Sequence, residues 1–197
     1  MRTVNPQLRE ERTRQIRSGA VAAFSRNGYA NTTVAELRRA TGLSSGALFH
    51  YFADKAAIFR AVVEAACAQQ RERLAAIDTT EPLPAFWATI DVLSTDFTDP
   101  QAAGMSAAIL ERLGADPELA TLLADHEALV VPLLTTLIER LQEQRLMDAS
   151  IPPARAARWI TSVVDGLILN CGDEDFDATA EAGFLTHALR RTFRIAE

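Results

Sequence analysis

The chain has 197 residues, 48% of them hydrophobic and 23% charged, with a formal net charge of −6. That balance excludes a disordered polymer and allows one or two compact domains around a real core. No apolar run reaches the ~18 residues that cross a bilayer, and the N-terminal stretch lacks the apolar centre of a signal peptide; the expected location is cytoplasmic, with no membrane partner.

Strand signals are sparse, and apolar residues recur at spacings of three and four, so the chain reads as all-α with nine helices. The first is expected over roughly 8–27, with Ile16, Ala20, Ala23 and Phe24 inward and Gly28 as its left-handed stop. The second starts at Thr33, where Thr33-Val34-Ala35-Glu36 fits a capping box, and ends before Gly42. Ser44 caps a short third helix that runs to about Phe52, and Asp54 caps a fourth that runs to about Ile77. The stretch from Asp78 to Pro84 reads as a break. Helix five follows from Ala85 to about Asp96, and helix six spans roughly Ala102–Leu113. Helix seven is long, ends near Arg145 and should kink at Pro132. Helices eight and nine are expected at about Ala154–Asn170 and Ala178–Arg194.

The charge is unevenly placed. Residues 1–60 carry ten basic side chains, Arg2 among them, against four acids, for +6; the remainder carries −12. A basic head on an acidic body is what contact with phosphate at one end requires, although a solvated basic face gives the same count. Cys67 and Cys171 match no metal spacing and read as reduced packing residues, and His50, His126 and His187 have no ligand spacing; no metal or cofactor is expected. The acidic run Asp173-Glu174-Asp175-Phe176-Asp177 has no partner motif and no phosphate loop, so it reads as a solvated loop before helix nine rather than as the magnesium site of an enzyme.

Helices two and three are short and joined by a tight turn at Thr41-Gly42-Leu43, the spacing of a helix-turn-helix whose second helix enters the major groove. Leu43, Leu48 and Phe52 anchor the second helix, while small residues at its start permit close approach to a groove floor. The run Ile16…Ala20…Phe24…Gly28-Tyr29…Thr32-Thr33-Val34…Leu37…Ala40-Thr41-Gly42-Leu43-Ser44…Gly46…Leu48-Phe49-His50-Tyr51-Phe52…Asp54-Lys55…Ile58 resembles the N-terminal domain of TetR-family regulators without a gap. The resemblance implies a nine-helix architecture: a helix-turn-helix domain over 1–54, then an effector-binding and dimerisation domain over 55–197. It also implies a non-enzymatic, sequence-specific DNA-binding protein, a homodimer on a pseudo-palindromic double-stranded operator, repressing until a small-molecule effector releases it.

By position, the resemblance implies that Thr33 meets phosphate, that Ser44, Ser45, Gly46 and Ala47 face the major groove, and that His50 sits at bases or backbone. It likewise implies phosphate contacts for Tyr51 and Lys55. Arg38 stands where the family usually has alanine; either it snorkels outward, toward phosphate, or the helix pair is splayed. Phe49 replaces a usual tyrosine, and Ser45 a usually longer polar residue, which shifts weight from base contacts toward backbone and shape. An architectural DNA binder without an effector is the rival reading.

In the body, an effector pocket is expected among helices five to eight, with Phe86, Trp87, Ile90, Met105, Ile109, Leu122, His126, Val130 and Trp159 as candidates. His126 is a titratable group on an apolar stripe. The last two helices carry broad apolar faces similar to the family's four-helix dimer interface. Trp159, Val163, Leu167, Phe184, Leu185, Ala188, Leu189 and Phe193 are the expected contacts, with burial inside the chain as the alternative.

Overall fold

A computed structural model of the chain describes residues 6–196; Arg2 of the basic head lies outside the described residues. Among the described residues there are nine α-helices, one short 3-10 helix and no strand. The helices are α1 (Pro6–Asn31), α2 (Val34–Thr41), α3 (Ser45–Tyr51), α4 (Lys55–Ala75), α5 (Pro82–Leu93), α6 (Ala102–Leu113), α7 (Pro117–Glu143), α8 (Pro153–Asn170) and α9 (Ala178–Phe193), with the 3-10 turn at Thr95–Thr98.

Local chemistry sets most of these limits. Gly28 at φ 73° and ψ 176° takes α1 out of helical geometry, and the chain makes one more turn to Asn31. Thr33, Ser44, Asp54, Asp116 and Asp177 each cap a helix by accepting a backbone N–H. Gly42 ends α2 in the left-handed conformation at φ 71°. One expected limit needs correction. α5 begins at Pro82, not Ala85, because proline in a first turn lacks only an N–H that would have no helical partner.

The helices close over two apolar cores. The lower one joins Ile16, Phe24, Leu37, Leu48, Ile58 and Phe59 from α1–α4 with Ala108 of α6 and Leu119 of α7. The upper one is built from α5, α7, α8 and α9 around Phe86, Leu134, Ile138, Ile160 and Leu189. α1 and α6 cross in close contact: a Cβ at Gly104 would lie 2.0 Å from the Ser25 carbonyl oxygen. α7 is long and apolar enough by composition to cross a membrane, although Asp125, His126 and Glu127 interrupt its apolar residues. That composition is also what a core helix looks like, and Val130, Val131, Leu134, Ile138 and Leu141 of α7 lie in the upper core.

The expected dimer face divides. Leu185, Leu189 and Phe193 fill the upper core of their own chain, so the face assigned to them is corrected to intramolecular packing. Trp159 and Phe184 remain 44% and 67% exposed. Val163, Leu167 and Ala188 are half-buried between the two sets.

Candidate nucleic-acid interface

α2 and α3 are held rigidly at both ends. The Thr33 hydroxyl accepts the Glu36 N–H at 3.3 Å, while Glu36 accepts the Thr33 N–H at 2.6 Å and its hydroxyl at 2.9 Å. Those bonds, the N–H first, hold the Glu36 carboxyl below the ordinary range. Gln15 of α1 donates to the Thr41 carbonyl at 3.0 Å, pinning the far end of α2. The Ser44 hydroxyl accepts the Ala47 N–H at 3.1 Å. Leu48 is fully buried beneath α3, and Leu43, Tyr51 and Phe52 are partly buried against the same core.

The opposite side of α3 is open. Ser44, Gly46, Phe49 and His50 are exposed, and Ser45 and Ala47 half-exposed, so the small-residue end of the helix projects from the molecule. His50 and Tyr51 meet edge to face at 5.1 Å. Arg38 and Arg39 are both exposed, and Arg38 lines an open depression with Ala35, Gly42 and Ser44, so its side chain lies at the surface.

Lys55, expected at phosphate, is held by the backbone of its own chain. Its ammonium donates to the carbonyls of Tyr29 at 2.8 Å, Thr32 at 2.9 Å and Ala30 at 3.3 Å, engaging all three protons. It also sits 4.4 Å from the Tyr29 ring. Burial lowers its pKa below the ordinary lysine value, with Glu111 acting in the opposite sense. Lys55 therefore clamps the elbow that runs from Gly28 to Thr32, directly ahead of α2. The buried Thr32 hydroxyl ties the same elbow to the Gly28 carbonyl at 2.6 Å.

The partner of that clamp has no local signature in the sequence. Glu111 of α6 accepts the N–H groups of Tyr29 at 2.8 Å and Ala30 at 3.1 Å. The Arg112 guanidinium lies 4.7 Å from the Tyr29 ring and reaches Asp116 at 3.4 Å, and Arg60 of α4 reaches the same carboxylate at 2.9 Å. Burial pushes the Asp116 carboxyl up, but the Leu119 N–H and Arg60 outweigh it, and its pKa lies below the ordinary range.

In the body, a cavity of about 440 Å³ opens between α4, α6, α7 and α8. Three of the expected lining residues, Ile109, His126 and Val130, stand in its wall. The other six do not, and each is corrected by its packing. Phe86 and Ile90 are sealed in the upper core, and Trp87 packs on Phe86 under the Arg190 guanidinium. Met105 and Leu122 pack on the lower core, and Trp159 of α8 packs edge to face on Phe193 of α9. Sequence reading missed the polar wall: Gln70, Glu127, Arg158 and Asp165. His126 Nε2 meets Gln70 Oε1 at 2.7 Å, while its Nδ1 is buried without a partner. Burial, then Arg71, lowers the His126 pKa, which disfavours the charged ring; a neutral ring that donates from Nε2 to Gln70 Oε1 leaves Nδ1 as an acceptor. Desolvation, then Glu127, raises the pKa of Asp165.

Comparison with known proteins bears on this arrangement. Residues 16–62 match the family described as Bacterial regulatory proteins, tetR family, and residues 85–194 match the BetI-type transcriptional repressor C-terminal family. The chain is 29% identical over 186 residues to an HTH-type transcriptional repressor, Rv1474c, of Mycobacterium tuberculosis, covering 92% of this chain and 94% of that one. In fold it is similar to a TetR-family transcriptional regulator from Agrobacterium tumefaciens, with a TM-score of 0.79 at 19% identity, covering 96% of this chain and 100% of that one. It is also similar to a Saccharomonospora viridis chain solved in complex with choline, with a TM-score of 0.80 at 16% identity over 93% of this chain and 98% of that one.

Proposed function

Because the chain belongs to the TetR family of bacterial regulatory proteins, and is thus a DNA-binding transcriptional regulator, we propose that it represses transcription from a pseudo-palindromic operator and is released by a small molecule. Residues 1–54 are the DNA-reading unit in this proposal and 55–197 the effector and dimer unit, acting in the cytoplasm beside the DNA. α3 enters the major groove through Ser44, Ser45, Gly46 and Ala47. Thr33, Arg38, His50 and Tyr51 flank it at the backbone. Lys55 serves by holding the elbow and not by touching phosphate. The repressor sense is supported by the name of the Mycobacterium tuberculosis relative.

The effector occupies the cavity beside α6. Its apolar body lies against Ile109, Val130 and Val164, and a donor group on it satisfies the open Nδ1 of His126. The choline held by the Saccharomonospora neighbour is a reason to include small organic cations among the trial ligands. Two copies pair through the exposed Trp159 and Phe184 with the half-buried Val163, Leu167 and Ala188 around them.

The observation that carries this reading is the projecting, capped, small-residue end of α3 on a rigid two-helix support. Fluorescence anisotropy on the DNA upstream of its own gene, against scrambled duplex of equal length, tests it. Binding at least ~10³ tighter to the upstream DNA is expected. Equal, weak and salt-sensitive binding to that duplex and to every duplex selected from a random pool would favour an architectural binder instead.

A further inference from the structure

α6 has two working faces. Ser106, Ile109, Leu110 and Leu113, spaced at three and four, look into the cavity. Gly104, Ala108 and Glu111 occupy the opposite side, against α1 and the elbow. A rigid helix therefore has the cavity on one side and, on the other, a carboxylate that grips two backbone amides just ahead of the helix-turn-helix. The grip has a tight fit. Gly28 holds φ +73°, and a Cβ there would come 3.0 Å from the Glu111 carboxylate, so the elbow has a backbone that only glycine adopts freely at the point where Glu111 approaches. Tyr29 and Ala30 receive Glu111 on their amides and Lys55 on their carbonyls, which leaves these two peptide units little freedom except to follow α6 and α4.

We propose that Glu111 is a positioning residue for DNA binding: its carboxylate fixes the 28–32 elbow to α6, and through that grip the state of the cavity sets the angle of α2 and α3. The inference rests on the reading of the cavity as the effector site. A ligand that displaces α6 pulls on both bonds, and an elbow that follows α6 carries the N-cap at Thr33 with it relative to the body.

The test uses the full-length chain, Glu111→Ala and Glu111→Gln, the tightest duplex selected from a random pool, and a scrambled duplex. Glu111→Ala is expected to speed amide exchange at Tyr29 and Ala30 and to lower the operator-to-scrambled affinity ratio about tenfold. Glu111→Gln, which keeps an acceptor oxygen for only one of the two amides, is expected to recover part of both and more than Glu111→Ala. If Gln and Ala instead behave alike, raising affinity for both duplexes equally, Glu111 acts only as a charge and the proposal falls. Ser106→Phe then fills part of the cavity without any ligand, with Leu110→Trp as a second filler on the same face. Filling is expected to change operator affinity about tenfold in the parent chain and little in Glu111→Ala, the non-additivity that coupling requires. Equal changes in both backgrounds would overturn the route through Glu111. If filling changes neither background while exchange and ratio respond as stated, the effector-site reading fails and the positioning role of Glu111 stands.

Discussion

The two short helices ahead of Asp54, α2 and α3, and the five that follow α4 bury apolar surface by different means. α2 and α3 have eight and seven residues, each with a side-chain cap, a glycine or an extended residue at its end, and one dominant anchor beneath it. The body helices run to 27 residues, and their apolar stripes are divided among core, cavity wall and outer face. Short helices are marginal alone and depend on their termini; long ones depend on what their faces meet. The head is thus specified by local chemistry, whereas the body is specified by partners distant in sequence.

The contrast can be broken most severely in the body. Leu189→Glu places an unpaired charge where the side chain is fully buried, and a loss of about 4 kcal/mol or more is expected as a lowered melting temperature. Trp159→Glu with Phe184→Glu, on the exposed face, should leave the monomer folded but shift sedimentation from dimer to monomer; a dimer that survives would place the interface elsewhere. Gly104→Ala forces α1 and α6 apart at the Ser25 carbonyl, a cost of about 1–3 kcal/mol. In the head, Thr33→Ala removes one half of the capping box and should cost about 1 kcal/mol, read as a lower denaturation midpoint.

Lys55→Ala sharpens the comparison, because the two roles for that lysine differ in salt dependence. As an elbow clamp, its loss lowers stability and operator affinity with the salt slope unchanged; a slope smaller by about one unit would return it to phosphate. The smallest expected effect is one of pH. Asp116 has a depressed pKa in the folded chain, so its stabilisation is present above the unfolded carboxyl value and fades as pH falls through the folded one. Asp116→Asn should flatten the acid limb of the stability profile and leave neutral pH comparatively little changed in slope.

The same division explains what could be read from the sequence. The capping box at Thr33, the left-handed cap at Gly42 and the caps at Ser44 and Asp54 are local rules, and the structure has each of them; Gly28 takes a positive φ but α1 continues past it to Asn31. Pro82 misled because a proline pair reads as a break and as a helix start with equal ease. His126 was placed in the cavity wall by its position on an apolar stripe, yet Trp159 and Phe86 lay on stripes just as plausible and face elsewhere. Periodicity gives a face but not its neighbour. Glu111 was illegible for the same reason: its bonds reach back 81 and 82 residues to backbone amides that carry no side-chain signature.

The central claim is that two copies of α3 read successive turns of one operator. Hydroxyl-radical footprinting on the tightest selected duplex tests it most directly. The account predicts two protected tracts on one face of the DNA, related by a two-fold axis and centred about one helical turn, or a whole multiple of it, apart. A single tract, or uniform protection along the duplex, would contradict it.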